Sequence, residues 1–159
     1  MIIRRATTQD VPELERLLGQ VLDVHHAGRP DLFKPHARKY TTAQLQQLLA
    51  DPSRPIFVAV ADQASQDDIM GYAFCEHQQH IDDNILTDIK TLYIDDLCVD
   101  ERQRGAHVGS TLYRHVLSYA KQQGCYNVTL NVWALNESAH RFYEHMGLLP
   151  QKFGMEVIL

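Results

Sequence analysis

The residues most clearly suited to a chemical role lie in one short stretch, Arg104-Gly-Ala-His-Val-Gly109. It contains two glycines and has Arg102 nearby. The preceding residues, Leu97 to Val99, are apolar and predict a strand. The following residues are apolar at every fourth position, which is one face of a helix: Val108, Leu112, Val116 and Ala120. A strand, a glycine-bearing turn and a helix N-terminus together aim backbone N–H groups and the positive end of the helix dipole at one point. The stretch therefore predicts a phosphate-binding turn.

The spacing of this turn excludes two common phosphate motifs and matches a third. A P-loop requires Gly-Lys-Ser/Thr after its first glycine and four further residues, and a dinucleotide-binding turn requires GxGxxG; neither pattern is present. The stretch instead resembles motif A of the GNAT superfamily of N-acetyltransferases, (Gln/Arg)-x-x-Gly-x-(Gly/Ala) after a strand. His107 stands at the first glycine of that pattern, which predicts either weaker cofactor binding or a side chain turned outward. Taken alone, the stretch is also compatible with an ordinary strand-to-helix turn.

A second stretch, from Asn136 to Gly147, decides between these two interpretations. Its sequence, Asn-Glu-Ser-Ala-His-Arg-Phe-Tyr-Glu-His-Met-Gly, is similar to motif B of the same superfamily, N-x-x-A-x-x-F-Y-x-x-x-G, at every specified position. It follows motif A at the usual distance, with a predicted strand between them. Two motifs in the right order favour the family over a chance match, and the resemblance extends over essentially the whole chain.

The resemblance implies both a fold class and an activity. The fold class is α/β (α+β), the GNAT fold, with a mixed, mostly antiparallel central sheet and helices on both of its faces. The sheet is expected to splay between the strand at Leu97 and the strand at Leu130, where acyl-CoA enters. The implied activity is acetyl-CoA-dependent N-acetylation of a primary amine by direct transfer, in a single domain over residues 1–159 that forms a homodimer. An acyl-CoA-binding sensor of the same fold, without turnover, is the alternative.

The resemblance also assigns roles to individual residues. Tyr143 is expected to act as the general acid that protonates the departing thiolate, and Asn136 to bind the pantetheine arm. The backbone of residues 97–99 is expected to pair with the pantetheine amides, with the Cys98 N–H as an oxyanion donor. Without the motifs, Tyr143 would more often be a core residue and Asn136 only a helix N-cap. The predicted cofactor-binding residues are Leu97, Cys98, Val99, Arg104, Gly105, Ala106, His107, Val108, Gly109, Ser110 and Asn136.

The general base is less sharply defined, because three carboxylates lie close to the expected thioester. Alternation along the strand predicts that Asp95 and Asp96 point to opposite faces, so that only one of them lines the cleft. Glu76, on the preceding strand, is the third candidate. Asp96 is our predicted base, although deprotonation of the amine through water would require no single carboxylate, and Asp96 could equally be a surface charge.

The elements that position these residues follow from periodicity and turn signals. Residues 2–5 predict a strand, and Asp10, with Glu13 as its capping-box partner, predicts the start of a helix that ends near Gly28. Residues 25–40 predict a long loop, which in a compact domain is more often functional than idle, and residues 29–35 are expected to cover the acceptor site. A short helix then begins at Thr41 or Thr42, and strands at 56–61 and 69–76 predict a hairpin around a polar turn at 64–68. Selection of the acceptor is expected to lie in residues 25–40 and 82–90, which contain no recognised acceptor-defining motif.

The end of the chain predicts one further helix and one further strand. Gly124 ends the motif-A helix, and apolar residues alternate from Val128 to Val132. Asn136 begins the last helix, which Gly147 ends. The alternation beyond it predicts a closing strand whose edge could serve the homodimer: Phe153, Met155, Val157 and Leu159.

Composition limits the remaining function classes. The 159 residues carry a formal charge of −5, which disfavours nucleic-acid binding. The acidic residues cluster between Asp67 and Glu101, either as an ordinary solvated surface or around a mouth, where they would attract a cationic amine. The three cysteines predict reduced thiols, and the nine histidines lack the convergent spacing of a metal site. No apolar run of membrane length and no signal-peptide core is present, which predicts a cytoplasmic protein without a membrane partner.

Overall fold

A computed structural model describes residues 1–62 and 68–159. The strands are β1 (Ile2–Arg5), β2 (Ile56–Val60), β3 (Ile69–Gln79), β4 (Lys90–Val99) and β5 (Asn127–Leu130). The helices are α1 (Val11–Gly28), α2 (Thr42–Ala50), α3 (Val108–Gln122) and α4 (Glu137–His145), with 3₁₀ turns at Thr8–Asp10 and Glu101–Gln103. Residues 64–67 of the predicted polar turn, including Asp67, lie outside the described residues.

The strands form one sheet in the order β1-β2-β3-β4-β5. The pairs from β1 to β4 are antiparallel, and β5 joins β4 in parallel, so the predicted mixed, mostly antiparallel sheet is confirmed. The β2–β3 hairpin is also confirmed. Parallel strands require a crossover, which α3 supplies between β4 and β5.

Two hydrophobic clusters cover the two faces of the sheet. On one face, α1 and α2 bury Leu14, Leu17 and Leu45 against the strands. On the other face, α3 buries the predicted stripe Val108, Leu112, Val116 and Ala120, all at most 3% exposed. Helices on both faces of the sheet are therefore confirmed. None of the helices in the described parts of the chain combines the length and apolar character needed to cross a bilayer.

The start of α1 differs from the prediction. Asp10 does stand at the N-cap of α1, but its side chain makes no cap hydrogen bond to that helix. Its carboxylate instead accepts the Thr7 backbone N–H at 2.7 Å and closes a capping box around the preceding 3₁₀ turn. Arg4 of β1 holds the same carboxylate in a bidentate pair at 2.7 and 2.8 Å. The predicted partner, Glu13, pairs with Arg16. The proposed Asp10–Glu13 capping box is therefore wrong.

The C-terminal segment also differs from the prediction. Residues 148–159 form no helix or strand, so the predicted closing strand is absent from the fold of one chain. The alternating apolar side chains are present but fully or nearly fully exposed, Phe153 at 81% and Met155 at 92%. A strand requires a neighbour for its backbone N–H and C=O groups, and the alternation of side chains alone does not supply one.

Candidate active site

The centre of β4 contains a β-bulge that brings two carboxylates to one face of the sheet. Asp96 stands opposite Phe74 of β3 and Ile94 stands opposite Cys75, so Asp95 is an extra residue without a partner. Such an insertion breaks the alternation of side chains. Asp95 and Asp96 consequently both reach Lys39, whose Nζ lies 2.9 Å from Asp95 Oδ2 and 3.5 Å from Asp96 Oδ2. The prediction that the two aspartates point to opposite faces is wrong.

Asp96 lies in a more enclosed place than Asp95. Its side chain is 11% exposed, against 30% for Asp95, and its Oδ2 accepts the Tyr72 hydroxyl at 3.2 Å. Burial raises the pKa of Asp96 above its usual range, and the nearby Lys39 ammonium only partly offsets this effect. Burial also lowers the pKa of Lys39, but the two carboxylates outweigh it and leave the lysine charged. A carboxylate with a raised pKa is better matched to accepting a proton near neutral pH.

Glu76, the third candidate base, has a different partner. It lies on β3 opposite Tyr93 and forms an ion pair with Arg54. Its side chain is also 31% exposed, against 11% for Asp96, so Glu76 is a weaker candidate than Asp96.

Beyond the bulge, β4 has an open edge. The pairing of β4 with β5 ends at Ile94 opposite Leu130, whereas β4 continues to Val99. The predicted splay therefore begins directly after Ile94, and no β5 residue pairs with residues 97–99. Backbone N–H and C=O groups on such an edge are free to bind an extended ligand as an additional strand.

The Cys98 side chain points away from this edge into the α1 core, where it is 7% exposed and its Sγ lies 3.8 Å from the Leu17 carbonyl. Burial raises the pKa of this thiol to about 12, so only its backbone N–H is suited to the oxyanion role.

The open edge leads into the glycine-bearing turn. Gly105 and His107 both have left-handed backbone conformations, with φ of 83° and 59°. His107 is the N-cap of α3, but its side chain makes no cap hydrogen bond. The first N–H groups of α3, at Val108, Gly109 and Ser110, have no intrahelical partner because of their position. The exposed Arg104 side chain adds positive charge. An uncapped helix N-terminus with a nearby arginine suits a phosphate.

An anchor that sequence reasoning missed ties this turn to α1. The Asp100 side chain is 1% exposed and accepts hydrogen bonds from Arg16 at 2.7 Å and from the Arg102 side chain at 2.7 Å. Its Oδ1 also accepts the Arg102 backbone N–H at 3.0 Å. Hydrogen bonds from Arg102, followed by those from Arg16, hold the pKa of Asp100 well below its usual range. Arg102 thus faces a carboxylate and positions the turn, while Arg104 remains for a ligand.

The α4 helix places the predicted acid beside this cleft. Tyr143 packs against Phe142 and Tyr113, with ring centroids 5.1 and 6.4 Å away. Burial raises the pKa of Tyr143, and the charge of Asp96 raises it further, so the phenol stays protonated and shares an electrostatic environment with Asp96. Asn136 is the N-cap of α4, where its Oδ1 accepts the Ala139 N–H at 3.1 Å. This cap uses its carbonyl oxygen and leaves the amide NH₂ for a ligand.

Comparison with known proteins identifies the family. The acetyltransferase (GNAT) family model matches residues 21–148. The chain belongs to the GNAT acetyltransferase family. None of the curated proteins compared with it is significantly similar. Its fold is similar to that of a tetramutant of the BH1408 protein from Bacillus halodurans, with 33% identity over 100% of both chains and a TM-score of 0.93.

Two more distant structures share the GNAT fold. An acetyltransferase from Trypanosoma brucei is 20% identical over 99% of each chain, with a TM-score of 0.72. The aminoglycoside acetyltransferase meta-AAC0020 from an uncultured soil metagenomic sample, in complex with sisomicin, is 18% identical over 99% of this chain and 95% of its own, with a TM-score of 0.70.

The GNAT pattern explains the backbone at His107. The left-handed conformation at this position is the one that glycine adopts without penalty, which accounts for the glycine in the family motif. His107 retains that conformation with an exposed side chain, so the expected outward orientation agrees with its exposure. Gly109, the second motif glycine, serves close packing, since a Cβ there would lie 3.3 Å from Val99 Cγ2 and 3.5 Å from Phe142 Cζ.

We predict that His107→Gly stabilises this GNAT domain by about 0.5–1 kcal/mol, because glycine relieves the left-handed strain but increases the entropy of the unfolded chain. The affinity for CoA should be retained or increased. Thermal unfolding would measure the stability, and calorimetric titration with CoA would measure the affinity.

His36→Gly is the matched control, because His36 is also exposed with a positive φ of 49° but lies outside the turn. It should change stability similarly and CoA affinity not at all. A large loss of CoA affinity in His107→Gly alone would show that the imidazole contacts the cofactor.

Three aromatic side chains that are far apart in the sequence, His25, Phe33 and Trp133, form a wall. Phe33 lies 5.0 Å from His25 and 5.3 Å from Trp133 between ring centroids. Burial lowers the pKa of His25, whereas the charge of Asp96 acts in the opposite direction, so this wall lies near the carboxylates. Sequence analysis placed Phe33 in an acceptor loop but did not connect it with Trp133, which lies 100 positions later in the chain. His25 also belongs to α1, which extends to Gly28, so the loop is shorter than predicted.

No metal centre emerges from the part of the chain that the structure describes. Within residues 1–62 and 68–159, no group of three or more histidine, cysteine, aspartate or glutamate side chains is arranged to hold an ion.

Proposed function

We propose that this GNAT protein is an acetyl-CoA-dependent N-acetyltransferase that transfers the acetyl group directly to a primary amine. The observation that carries the proposal is the open edge of β4, which has the uncapped turn at one end and the Asp96 and Tyr143 environment beside its bulge. The turn from Arg104 to Ser110 would bind the pyrophosphate, and residues 97–99 with Asn136 would bind the pantetheine. This arrangement supports one continuous site in a single domain.

Three groups of the chain would serve the reaction. Asp96, directly or through a water molecule, would accept a proton from the acceptor ammonium so that the free amine can attack the thioester carbonyl. The Cys98 backbone N–H would donate to the oxyanion that forms as the N–C bond is made. The C–S bond then breaks as the Tyr143 hydroxyl gives its proton to the thiolate, and the second proton that the attacking nitrogen must lose to become an amide would return to the Tyr143 oxygen through solvent. The high pKa of the Cys75 and Cys98 thiols, about 12 in each case, disfavours a covalent acyl-enzyme.

The proposed acceptor is a cationic amine. Lys39 places an ammonium group between Asp95 and Asp96, which supports a preference of this pair for cations, and the exposed Trp133 ring in the aromatic wall is of a type that attracts cations. The GNAT-fold neighbour meta-AAC0020 is an aminoglycoside acetyltransferase, and aminoglycosides are polyamines. That likeness is one of fold, so the amine class rests on the carboxylate pair and the aromatic wall.

The alternative is a CoA-binding sensor without turnover. It would use the same turn and open edge but would have no need for a protonated, half-buried tyrosine close to a carboxylate with a raised pKa. The presence of both groups favours the enzyme. For either function we propose a homodimer in the cytoplasm.

A thiol-release assay with acetyl-CoA and a panel of amines tests the proposed function. We expect release of free CoA with polyamines or lysine peptides, saturation at micromolar to millimolar acceptor, and little release with neutral hydroxyl analogues. Mass spectrometry should find the acetyl group on nitrogen. Tight CoA binding without turnover on any acceptor would contradict the enzyme and favour the sensor. Absence of CoA binding would contradict both.

A further inference from the structure

Lys39 differs from the other lysines of the chain in having its ammonium group held at the candidate active site. Within residues 1–62 and 68–159, it is the only lysine that pairs with a carboxylate. Its Nζ lies 2.9 Å from Asp95 Oδ2 and 3.5 Å from Asp96 Oδ2, and its side chain is 28% exposed. Lys34, five positions earlier in the same loop, is exposed. The position of the Lys39 ammonium group is therefore specific to this residue.

The backbone next to Lys39 is anchored to the sheet and to a helix. Tyr40 donates its hydroxyl to Asp95 Oδ2 at 3.1 Å and stacks on Phe74 of β3, with ring centroids 6.1 Å apart. Thr41 is the N-cap of α2, where its side chain accepts a backbone N–H of that helix. These contacts fix the chain immediately after Lys39, so its side chain starts from a defined point beside the carboxylate pair.

The Lys39 ammonium group stands where an acceptor amine must stand. In the proposed reaction, the acceptor brings its ammonium group to Asp96, which takes a proton from it before the amine attacks. The Lys39 Nζ is already at that carboxylate. Because Lys39 belongs to the chain, it reaches the base without a bimolecular encounter, which is the advantage of an intramolecular reaction. Lys39 is therefore positioned as an acceptor.

We propose that Lys39 is a self-acetylation site, at which the enzyme transfers an acetyl group from acetyl-CoA to its own Nζ. This inference rests on the proposed acetyltransferase function. The Lys39 ammonium loses one proton to Asp96, and the free amine attacks the thioester carbonyl. The N–C bond forms, the C–S bond breaks, and Tyr143 protonates the thiolate. The second nitrogen proton returns to the Tyr143 oxygen through solvent, and Asp96 releases its proton to water, so each transfer yields acetyl-lysine, free CoA and one proton.

Self-acetylation has a consequence for the carboxylate pair. Acetylation removes the charge of a lysine, so the modified side chain cannot keep its ion pairs with Asp95 and Asp96. The two carboxylates then become available to an external cationic acceptor. Burial acts to lower the pKa of Lys39, but the charges of Asp96 and Asp95 outweigh it and raise this pKa. The fraction of free amine is consequently small, so the modification should be slow and should occur once per chain.

Incubation with acetyl-CoA alone, followed by mass spectrometry of the peptides, tests the proposal. We expect one acetyl group per chain, on Lys39, at a rate that does not depend on protein concentration, while Lys34 stays largely unmodified. Acetic anhydride, which needs no enzyme, should show the reverse preference, because the ion pairs and the raised pKa protect Lys39. Asp96→Asn should lower the rate at Lys39 with acetyl-CoA by about 10²-fold.

Two conservative variants provide a matched pair for this experiment. Lys39→Arg keeps the positive charge beside the carboxylates but cannot form acetyl-lysine, so incorporation of the acetyl group should be lost. Lys34→Arg makes the same change in the same loop and should leave the incorporation unchanged. Mapping of the acetyl group in the parent protein needs no variant, so the test does not depend on the folding of either one.

Several results would overturn the proposal. Equal acetylation of Lys34 and Lys39 by acetyl-CoA would mean unselective chemical modification. A rate proportional to protein concentration would mean transfer between chains. An unmodified Lys39 in a protein that acetylates external amines would exclude self-acetylation alone. An unmodified Lys39 in a protein that binds CoA but acetylates no amine would exclude the proposed function as well.

Discussion

Tyr143→Phe is expected to lower kcat by about 10²-fold, the usual contribution of a general acid. The variant lacks only the hydroxyl that would protonate the CoA thiolate. It keeps the aromatic ring that packs against Phe142 and Tyr113, so the affinity for CoA and the melting temperature should change little. Because burial raises the pKa of Tyr143, the hydroxyl is protonated throughout the usual assay range, and the loss should be independent of pH between about 6 and 9.

Tyr113→Phe is the matched control for this experiment. Tyr113 lies on α3, its ring centroid is 6.4 Å from that of Tyr143, and it is itself buried. The chemical change is identical but falls on a residue without an assigned role, so kcat should stay close to that of the parent. An unchanged rate in Tyr143→Phe, measured under conditions in which chemistry limits turnover, would exclude Tyr143 as the acid.

The sequence predicted well those helix faces and helix ends that depend only on residues close together in the chain. The stripe Val108, Leu112, Val116 and Ala120 is buried along α3 because the four-residue spacing fixes one face of any helix. Thr41 caps α2 through the Gln44 N–H, and Gly124 and Gly147 adopt the positive φ that ends a helix. The two motifs likewise predicted the sheet, since a family pattern carries information about topology that periodicity lacks.

Other features depend on contacts between distant parts of the chain. Whether Asp95 alternates or bulges is decided by the register of β4 against β3, because the same residues could also have formed a regular strand. The pairing of Asp100 with Arg16 joins residues 84 positions apart. Residues 148–159 illustrate the same limit, since their alternation predicts a strand but the described chain supplies no neighbouring strand to pair with it.

Asp96→Asn is expected to lower kcat/KM by about 10²-fold at pH 7, because the amide keeps the shape of the side chain but cannot accept the amine proton. Asp95→Asn makes the same chemical change one residue away, on the carboxylate that pairs with Lys39 and Tyr40. It should act mainly on the KM of a cationic acceptor. If Asp95→Asn lowers kcat more than Asp96→Asn does, the base is Asp95. If neither variant lowers kcat, the amine is deprotonated without a carboxylate.

The pH dependence and the stability of Asp96→Asn separate a base from a surface charge. Burial raises the pKa of Asp96 on folding, so its ionisation opposes the folded state. The associated stability is therefore fully present below the unfolded-state pKa, about 4, and is lost as pH rises through the higher folded-state value. Asparagine has no charge to bury, so at pH 7 the variant should melt at the same temperature as the parent or higher, although it is less active.

The pH–rate profile gives a second test. The fall in kcat/KM at acid pH that the parent shows should be absent from Asp96→Asn, because the titrating carboxylate has been removed. Lys39→Gln, which removes the nearby positive charge, should instead move that fall to higher pH. A fall that stays at the same pH in all three proteins would show that it reports a different group.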